Sequence, residues 1–179
     1  GTKKNIIREL NKRGCNVAVV PYNTKAQDIL SLNPDGIMLS NGPGDPKENV
    51  EAIEELKKLF GNVPIFAICL GHQLLALSHA GETTKLKYGH RGVNQPVKNL
   101  ETGRTYISSQ NHGYAVVNEE IEKTGAKVSY INANDGTCEG VDYPGKNAFS
   151  VQFHPEACSG PHDTRFIFDK FIEMMGGNK

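Results

Sequence analysis

The residues that most constrain this chain are Pro64-Ile65-Phe66-Ala67-Ile68-Cys69-Leu70-Gly71-His72-Gln73. An unbroken apolar run, 64–68, passes directly into a helical pattern over 70–80, with Cys69 at the junction. A strand apolar on both faces belongs inside a layered sheet covered on both sides. A side chain at a tight strand-to-helix turn is pushed out of the backbone at the head of the helix. There the free N–H groups and partial positive charge of a helix N-terminus favour a thiolate over a thiol. Such a turn needs small flanking residues, and Gly71 and Ala67 supply them. Cys69 therefore reads either as a nucleophile or as a buried cysteine that ends a core strand.

The chain before this stretch repeats the same alternation. Residues 3–13 read as a helix with Ile6, Ile7 and Leu10 as its apolar stripe and Gly14 after it. Residues 15–21 read as a buried strand, 25–32 as a short helix and 35–40 as a second buried strand. Asn41-Gly42-Pro43-Gly44-Asp45-Pro46 then opens a helix running to Gly61, with Asp45 as N-cap, Pro46 at the first position and Glu48 completing a capping box. Val50, Ile53, Leu56 and Leu59 form its expected buried face. The two glycines ahead of it admit a phosphate cradle, an ordinary turn or an anion-binding loop of backbone N–H groups. No GxGxxG or GxxxxGK[ST] supports the first. The third would sit at the carboxyl edge of the sheet, beside Cys69.

After Gly81 the pattern changes to short strand-like runs at 83–88, 95–98, 105–109, 114–117, 127–133, 137–142 and 148–153, separated by turn signals such as Asn134-Asp135-Gly136. A last helix starts near Asp163-Thr164, with Ile167, Phe171, Met174 and Met175 as a core stripe and Gly176-Gly177 after it. The expected fold is one α/β domain over 1–179. It has an open, mostly parallel, doubly wound sheet of flavodoxin-like layers with an added antiparallel portion. A chain of 179 residues is about one ordinary domain and buries roughly 70% of its unfolded surface without disulfides or metal staples.

Twenty basic and twenty acidic residues balance, which argues against nucleic-acid and membrane-surface partners. No signal peptide or apolar run of membrane-spanning length is present, so the cytoplasm is the default compartment. Cys15, Cys69, Cys138 and Cys158 are scattered without paired spacing. A base for Cys69 is sought among six histidines. His72 and His79 share a helix face, His90, His112 and His162 lie in loop-like stretches, and none has zinc-site spacing. His154 stands at the end of an apolar strand in Gln152-Phe153-His154-Pro155-Glu156. Pro155 holds His154 extended, so His154 and Glu156 project to one side. A carboxylate beside an imidazole fixes its tautomer and stabilises its charged form. The alternative is a strand end with a solvated acid.

Together, Cys-Leu-Gly-His-Gln, Asn-Gly-Pro-Gly-Asp-Pro and Gln-Phe-His-Pro-Glu resemble the motifs of the class I (triad) glutamine amidotransferases. Ser109-Gln110-Asn111-His112-Gly113-Tyr114, Gly160-Pro161-His162-Asp163-Thr164 and the opening Gly1-Thr2-Lys3-Lys4-Asn5-Ile6 resemble one branch, the carbamoyl-phosphate synthase small chain. The resemblance implies Cys69, His154 and Glu156 as a catalytic triad. It implies an oxyanion hole from the backbone N–H groups of Gly42 and Leu70, and substrate contacts from Gly44, Gln73, Asn111, Gly113 and Tyr114. The implied reaction is hydrolysis of L-glutamine, with ammonia passed to a large synthetase chain that makes carbamoyl phosphate. ATP, magnesium and bicarbonate are expected on that partner, and no metal or cofactor on this chain. The branch also implies a strand just before Gly1 and a further amino-terminal domain, so the sequence, starting without Met, reads as a piece of a longer chain. Ala67 stands where this family usually has Gly, and Ser159 where relatives often have Pro. Two other readings remain: an amidotransferase part of a guanine-nucleotide or anthranilate synthase, and a non-catalytic module on the same fold.

Overall fold

The computed structural model describes residues 1–157 and 163–176. Among these, the strands form one seven-stranded sheet in the order β1-β2-β7-β6-β5-β3-β4. β1 (Ile37–Leu39), β2 (Ile65–Ile68) and β7 (Ala148–Val151) run parallel, with Met38 opposite Phe66 and Phe66 opposite Phe149. β6 (Cys138–Tyr143), β5 (Lys127–Asn132), β3 (Thr83–Asn99) and β4 (Thr105–Val116) continue the sheet antiparallel. The layered α/β sheet and its antiparallel portion are as expected, but only β1, β2 and β7 pair in parallel, so the sheet is mixed and not mostly parallel.

Each face of the sheet has its own core. On one face, α2 (Ala26–Ser31), α3 (Val50–Leu59), α4 (Leu70–Ser78) and α5 (Asn118–Lys123) supply Ala26, Leu56, Leu59, Leu75 and Ile121, packed with Ile65, Ala67 and Val141 of the sheet. On the other, α1 (Lys4–Asn11) and α6 (Phe166–Met174) bring Ile6, Leu10, Ile167, Phe168 and Phe171 against Phe66, Ile68, Phe149 and Val151. All four β2 residues are fully buried, as a strand covered on both faces requires.

Several expected elements differ. Residues 15–21 form no strand and are mostly exposed, with Val19 62% accessible. An apolar run becomes a strand only where a neighbour completes its ladder. Here a cavity of about 870 Å³, lined by Val17, Val19, Met38 and Leu39 among others, lies between this segment and β1. The helix expected from Asp45 is split. Pro46–Glu48 is a 3₁₀ turn capped by Asp45 Oδ1, which accepts from the Lys47 N–H at 2.9 Å. Asn49, at ψ 48°, breaks the path before α3. Val50 is consequently exposed, and the buried face is Ala52, Glu55, Leu56 and Leu59. Glu55 is buried because its Oε2 accepts from the Ala26 N–H at 2.9 Å, tying α3 to α2. The runs at 83–88 and 95–98 are one bulged strand, as are those at 105–109 and 114–117. α5 was not expected; its single buried apolar residue, Ile121, gives little periodic signal. No helix among the described residues is long and apolar enough to cross a membrane.

Candidate active site

Cys69 sits between β2 and α4 at φ 56° and ψ −109°, a left-handed conformation that a residue with a Cβ adopts only under constraint. Three contacts impose it. The Cys69 N–H donates to Val151 O at 3.0 Å, the Cys69 carbonyl accepts from the Gln73 N–H at 3.2 Å, and the Gly71 N–H donates to Ser40 O at 3.2 Å. Gly71 must be small, since a Cβ there would lie 2.5 Å from the Leu39 carbonyl oxygen. Ala67, fully buried in β2, is accommodated between Leu39 and Ser150.

β7 runs beside β2 and carries the chain on to His154 and Glu156, so the parallel pairing brings these residues to the elbow. His154 Nδ1 donates to Glu156 Oε1 at 2.7 Å, and both residues are buried. The His154 N–H donates to Ser109 O at 2.9 Å, holding the residue against β4. Burial opposes a charged His154, but its neighbours Cys69 and Glu156, the latter hydrogen-bonded to the ring, outweigh it. The imidazole pKa is raised to about 9. The surroundings of His154 thus favour its charged form. The other described cysteines lack such a partner. Burial pushes the thiols of Cys15 and Cys138 up.

Of the remaining predicted residues, Gly42 and Gln73 lie beside the elbow. Gly42 abuts Leu70: a Cβ on Gly42 would lie 2.6 Å from Leu70 Cδ2. Gly44 has φ +94°, the left-handed region that favours glycine. Gln73, on the first turns of α4, donates from Nε2 to Tyr114 O and to Gln152 Oε1, each at 2.9 Å. Burial pushes the Tyr114 pKa up, and acidic Asp45 lies near enough to the phenol to add to the shift. Asn111 and Gly113 flank His112 on the same strand, and Asn111 is exposed.

Lys3 is a neighbour of the site that its sequence context did not reveal. Its Nζ lies 3.8 Å from Glu156 Oε1 and 3.4 Å from His154 Nδ1. The segment reaches the site because the Lys3 N–H donates to Asn41 Oδ1 at 3.0 Å and Asn41 Nδ2 donates to Gly1 O at 3.0 Å. Asn5 Nδ2 donates to the Glu156 carbonyl at 3.2 Å. His72 is buried against Ser150 Oγ at 2.8 Å, and desolvation takes its pKa down to about 3, so it is a neutral core histidine. His79 packs edge-on against Tyr143. Cys158, Ser159, Gly160, Pro161, His162 and Gly177 lie outside the described residues.

The family model for Glutamine amidotransferase class-I matches residues 1–174. The chain belongs to this family. It is 58% identical over 175 residues to the carbamoyl phosphate synthase small chain of Bacillus cereus (strain ATCC 14579), covering 98% of this chain and 48% of that protein. It is 54% identical over 179 residues to the proteins of the same name from Staphylococcus saprophyticus and Listeria monocytogenes, covering 100% of this chain and 49% of each. The chain thus spans about half the length of the curated relatives it matches. A crystal structure of a GMP synthase subunit from Thermoplasma acidophilum superimposes with a TM-score of 0.81 over 96% of this chain and 86% of that one. At 22% identity, that likeness establishes the class I amidotransferase fold.

Proposed function

We propose that this chain hydrolyses the side-chain amide of L-glutamine and supplies the ammonia to a large synthetase chain for carbamoyl phosphate synthesis. The observation that carries the reading is the buried His154–Glu156 pair at 2.7 Å, brought by β7 beside the left-handed elbow that carries Cys69. The partner is carried by the relatives named carbamoyl phosphate synthase small chain.

An amide carbonyl is a weak electrophile, so both a strong nucleophile and charge stabilisation are needed. Cys69 Sγ attacks the carboxamide carbon. The oxygen that gains charge lies on the N–H groups of Gly42 and Leu70; losing one such donor costs about 2.7–4 kcal/mol of barrier. His154 gives its proton to the nitrogen as the C–N bond breaks, releasing ammonia and leaving a γ-glutamyl thioester. Neutral His154 then takes a proton from water as its oxygen attacks the thioester, and the C–S bond breaks to return the thiolate and the imidazolium. Glu156 holds the ring in place throughout and stabilises its charge whenever it is protonated. Gly44, Gln73, Asn111, Gly113 and Tyr114 hold the backbone groups of glutamine. ATP, magnesium and bicarbonate act on the partner, and the site works in the cytoplasm.

Replacing Cys69 with Ser tests this directly. The variant should abolish glutamine-dependent carbamoyl phosphate synthesis in the assembled enzyme and leave synthesis from added ammonia intact. Loss of both activities would make Cys69 structural, and retention of glutamine-dependent synthesis would exclude it as the nucleophile.

A further inference from the structure

A second cluster of reactive side chains lies outside the Cys69 site. His90 on β3, His112 on β4 and Glu139 on β6 each present one donor atom, and these atoms lie within 4.8 Å of one another. His90 Nδ1 is 3.2 Å and His112 Nε2 is 3.9 Å from the same oxygen, Glu139 Oε1. Donors around a tetrahedral zinc ion at about 2.0–2.1 Å stand about 3.4 Å apart, so the two imidazoles must draw in around the Glu139 carboxylate to close the set.

The outer nitrogens are already committed. His90 Nε2 donates to Asp135 Oδ2 at 2.8 Å, and His112 Nδ1 donates to the Tyr114 carbonyl at 2.7 Å. These are the acceptors that orient a metal-binding imidazole and fix its tautomer, a carboxylate for one ring and a main-chain carbonyl for the other. They leave His90 Nδ1 and His112 Nε2 as the inward-facing atoms. Glu139 is fully buried, and its Oε2 makes no hydrogen bond that meets normal geometry, although the Asn132 and Gln110 amides face the carboxylate. A buried carboxylate whose Oε1 faces two pre-oriented imidazoles is a ligand set of the His₂Glu type.

We propose that His90, His112 and Glu139 form a site for one divalent transition-metal ion of the zinc class. Without a cation, the His90 ring donates its Nε2–H to Asp135 and holds a proton on Nδ1 toward Glu139, and Gln110 Oε1 lies 2.9 Å from His112 Nε2. The ion replaces that proton and turns the Gln110 amide aside. Its role is structural. It ties β3, β4 and β6 together at His112, and the Tyr114 carbonyl that holds His112 also accepts from Gln73. It therefore fixes the 111–114 run beside the Cys69 site. The proposal does not depend on glutamine hydrolysis, and its readout is metal binding.

The test is a cobalt(II) titration of the protein, first stripped with a chelator, in a Cys69→Ser background that removes the competing thiolate. One equivalent should bind with a visible ligand-field band free of thiolate charge transfer, and zinc should displace it. His90→Ala and the isosteric Glu139→Gln should each weaken binding by at least about tenfold, with thermal melts of the metal-free proteins confirming that both variants fold. Cobalt-induced NMR shifts of the His90 and His112 ring protons read the site without touching its ligands. No binding, unchanged affinity in both folded variants, or shifts centred on other histidines would overturn the assignment.

Discussion

A thiol, an imidazole and a carboxylate occur in many proteins; what sets this trio apart is which states their surroundings favour. The charged form of His154 is favoured although the ring is buried, because Cys69 and Glu156 together outweigh the loss of hydration. Glu156→Gln keeps the shape and removes one of those charges. It should lower the glutaminase kcat by about 10²–10⁴-fold, the range of general acid–base assistance, with a smaller change in KM, measured by ammonia release. The same variant has a stability signature. A histidine whose folded pKa stands at about 9, above the 6.5 of the unfolded chain, binds its proton more tightly when folded. That stabilisation is complete below pH 6.5 and disappears as pH rises through about 9. His90, also raised to about 9, shares the window, so the difference between parent and Glu156→Gln in denaturant melts isolates His154. His72 and His112, lowered to about 3 and about 4, have the opposite sign and destabilise the fold as pH falls below 6.5. Much of this residue chemistry was legible in the sequence. An i, i+2 pair in an extended segment and a cysteine at an elbow are local patterns. Lys3 beside Glu156, and Glu139 between two histidines, were not legible, because those contacts join residues far apart in the chain.

The elements show why the elbow is placed so firmly. α4 can start at Leu70 only because its first turn lies directly against β1, where Leu39 O would be 2.5 Å from any Cβ at position 71. Gly71→Ala therefore overpacks a buried junction. It should destabilise the fold by about 1–3 kcal/mol, seen as a lower denaturant midpoint. Because the strain falls on the turn that carries Cys69, it should also slow glutamine hydrolysis more than a change elsewhere of equal stability cost. The strands and helices around Cys69 could be read because their apolar patterns are strong. Residues 15–21 misled because an apolar run specifies burial and not a ladder, and β1 lies across a cavity from them. The helix expected from Asp45 misled because its start signals were real. They cap a 3₁₀ turn, and Asn49 then redirects the chain.

At the scale of the whole molecule, the sheet separates two cores, and β2 belongs to both. Phe66 points into the α1–α6 side, stacked on Phe149 at 4.5 Å between ring centroids and edge-on to Phe168 at 5.5 Å. Phe66→Ala should cost about 3–5 kcal/mol, read as a shifted denaturant midpoint with an unchanged m-value. β2 and β7 are also the strands that end at Cys69 and lead to His154, so packing on both faces sets the distance between nucleophile and base. The layered class was readable from the alternation of apolar runs and helical stripes. The strand order was not, because β7 enters between β2 and β6 by pairings that no local pattern encodes. The central claim, that this architecture makes Cys69 a nucleophile toward a glutamine side chain, is tested most directly by mass spectrometry of the assembled, reduced protein. The reagent is a glutamine analogue bearing an electrophile in place of the carboxamide. One adduct per chain on the Cys69 peptide, suppressed by excess glutamine and slowed in Glu156→Gln, is the predicted result. No adduct, or one shared with Cys15 and Cys138 and indifferent to glutamine, would contradict it.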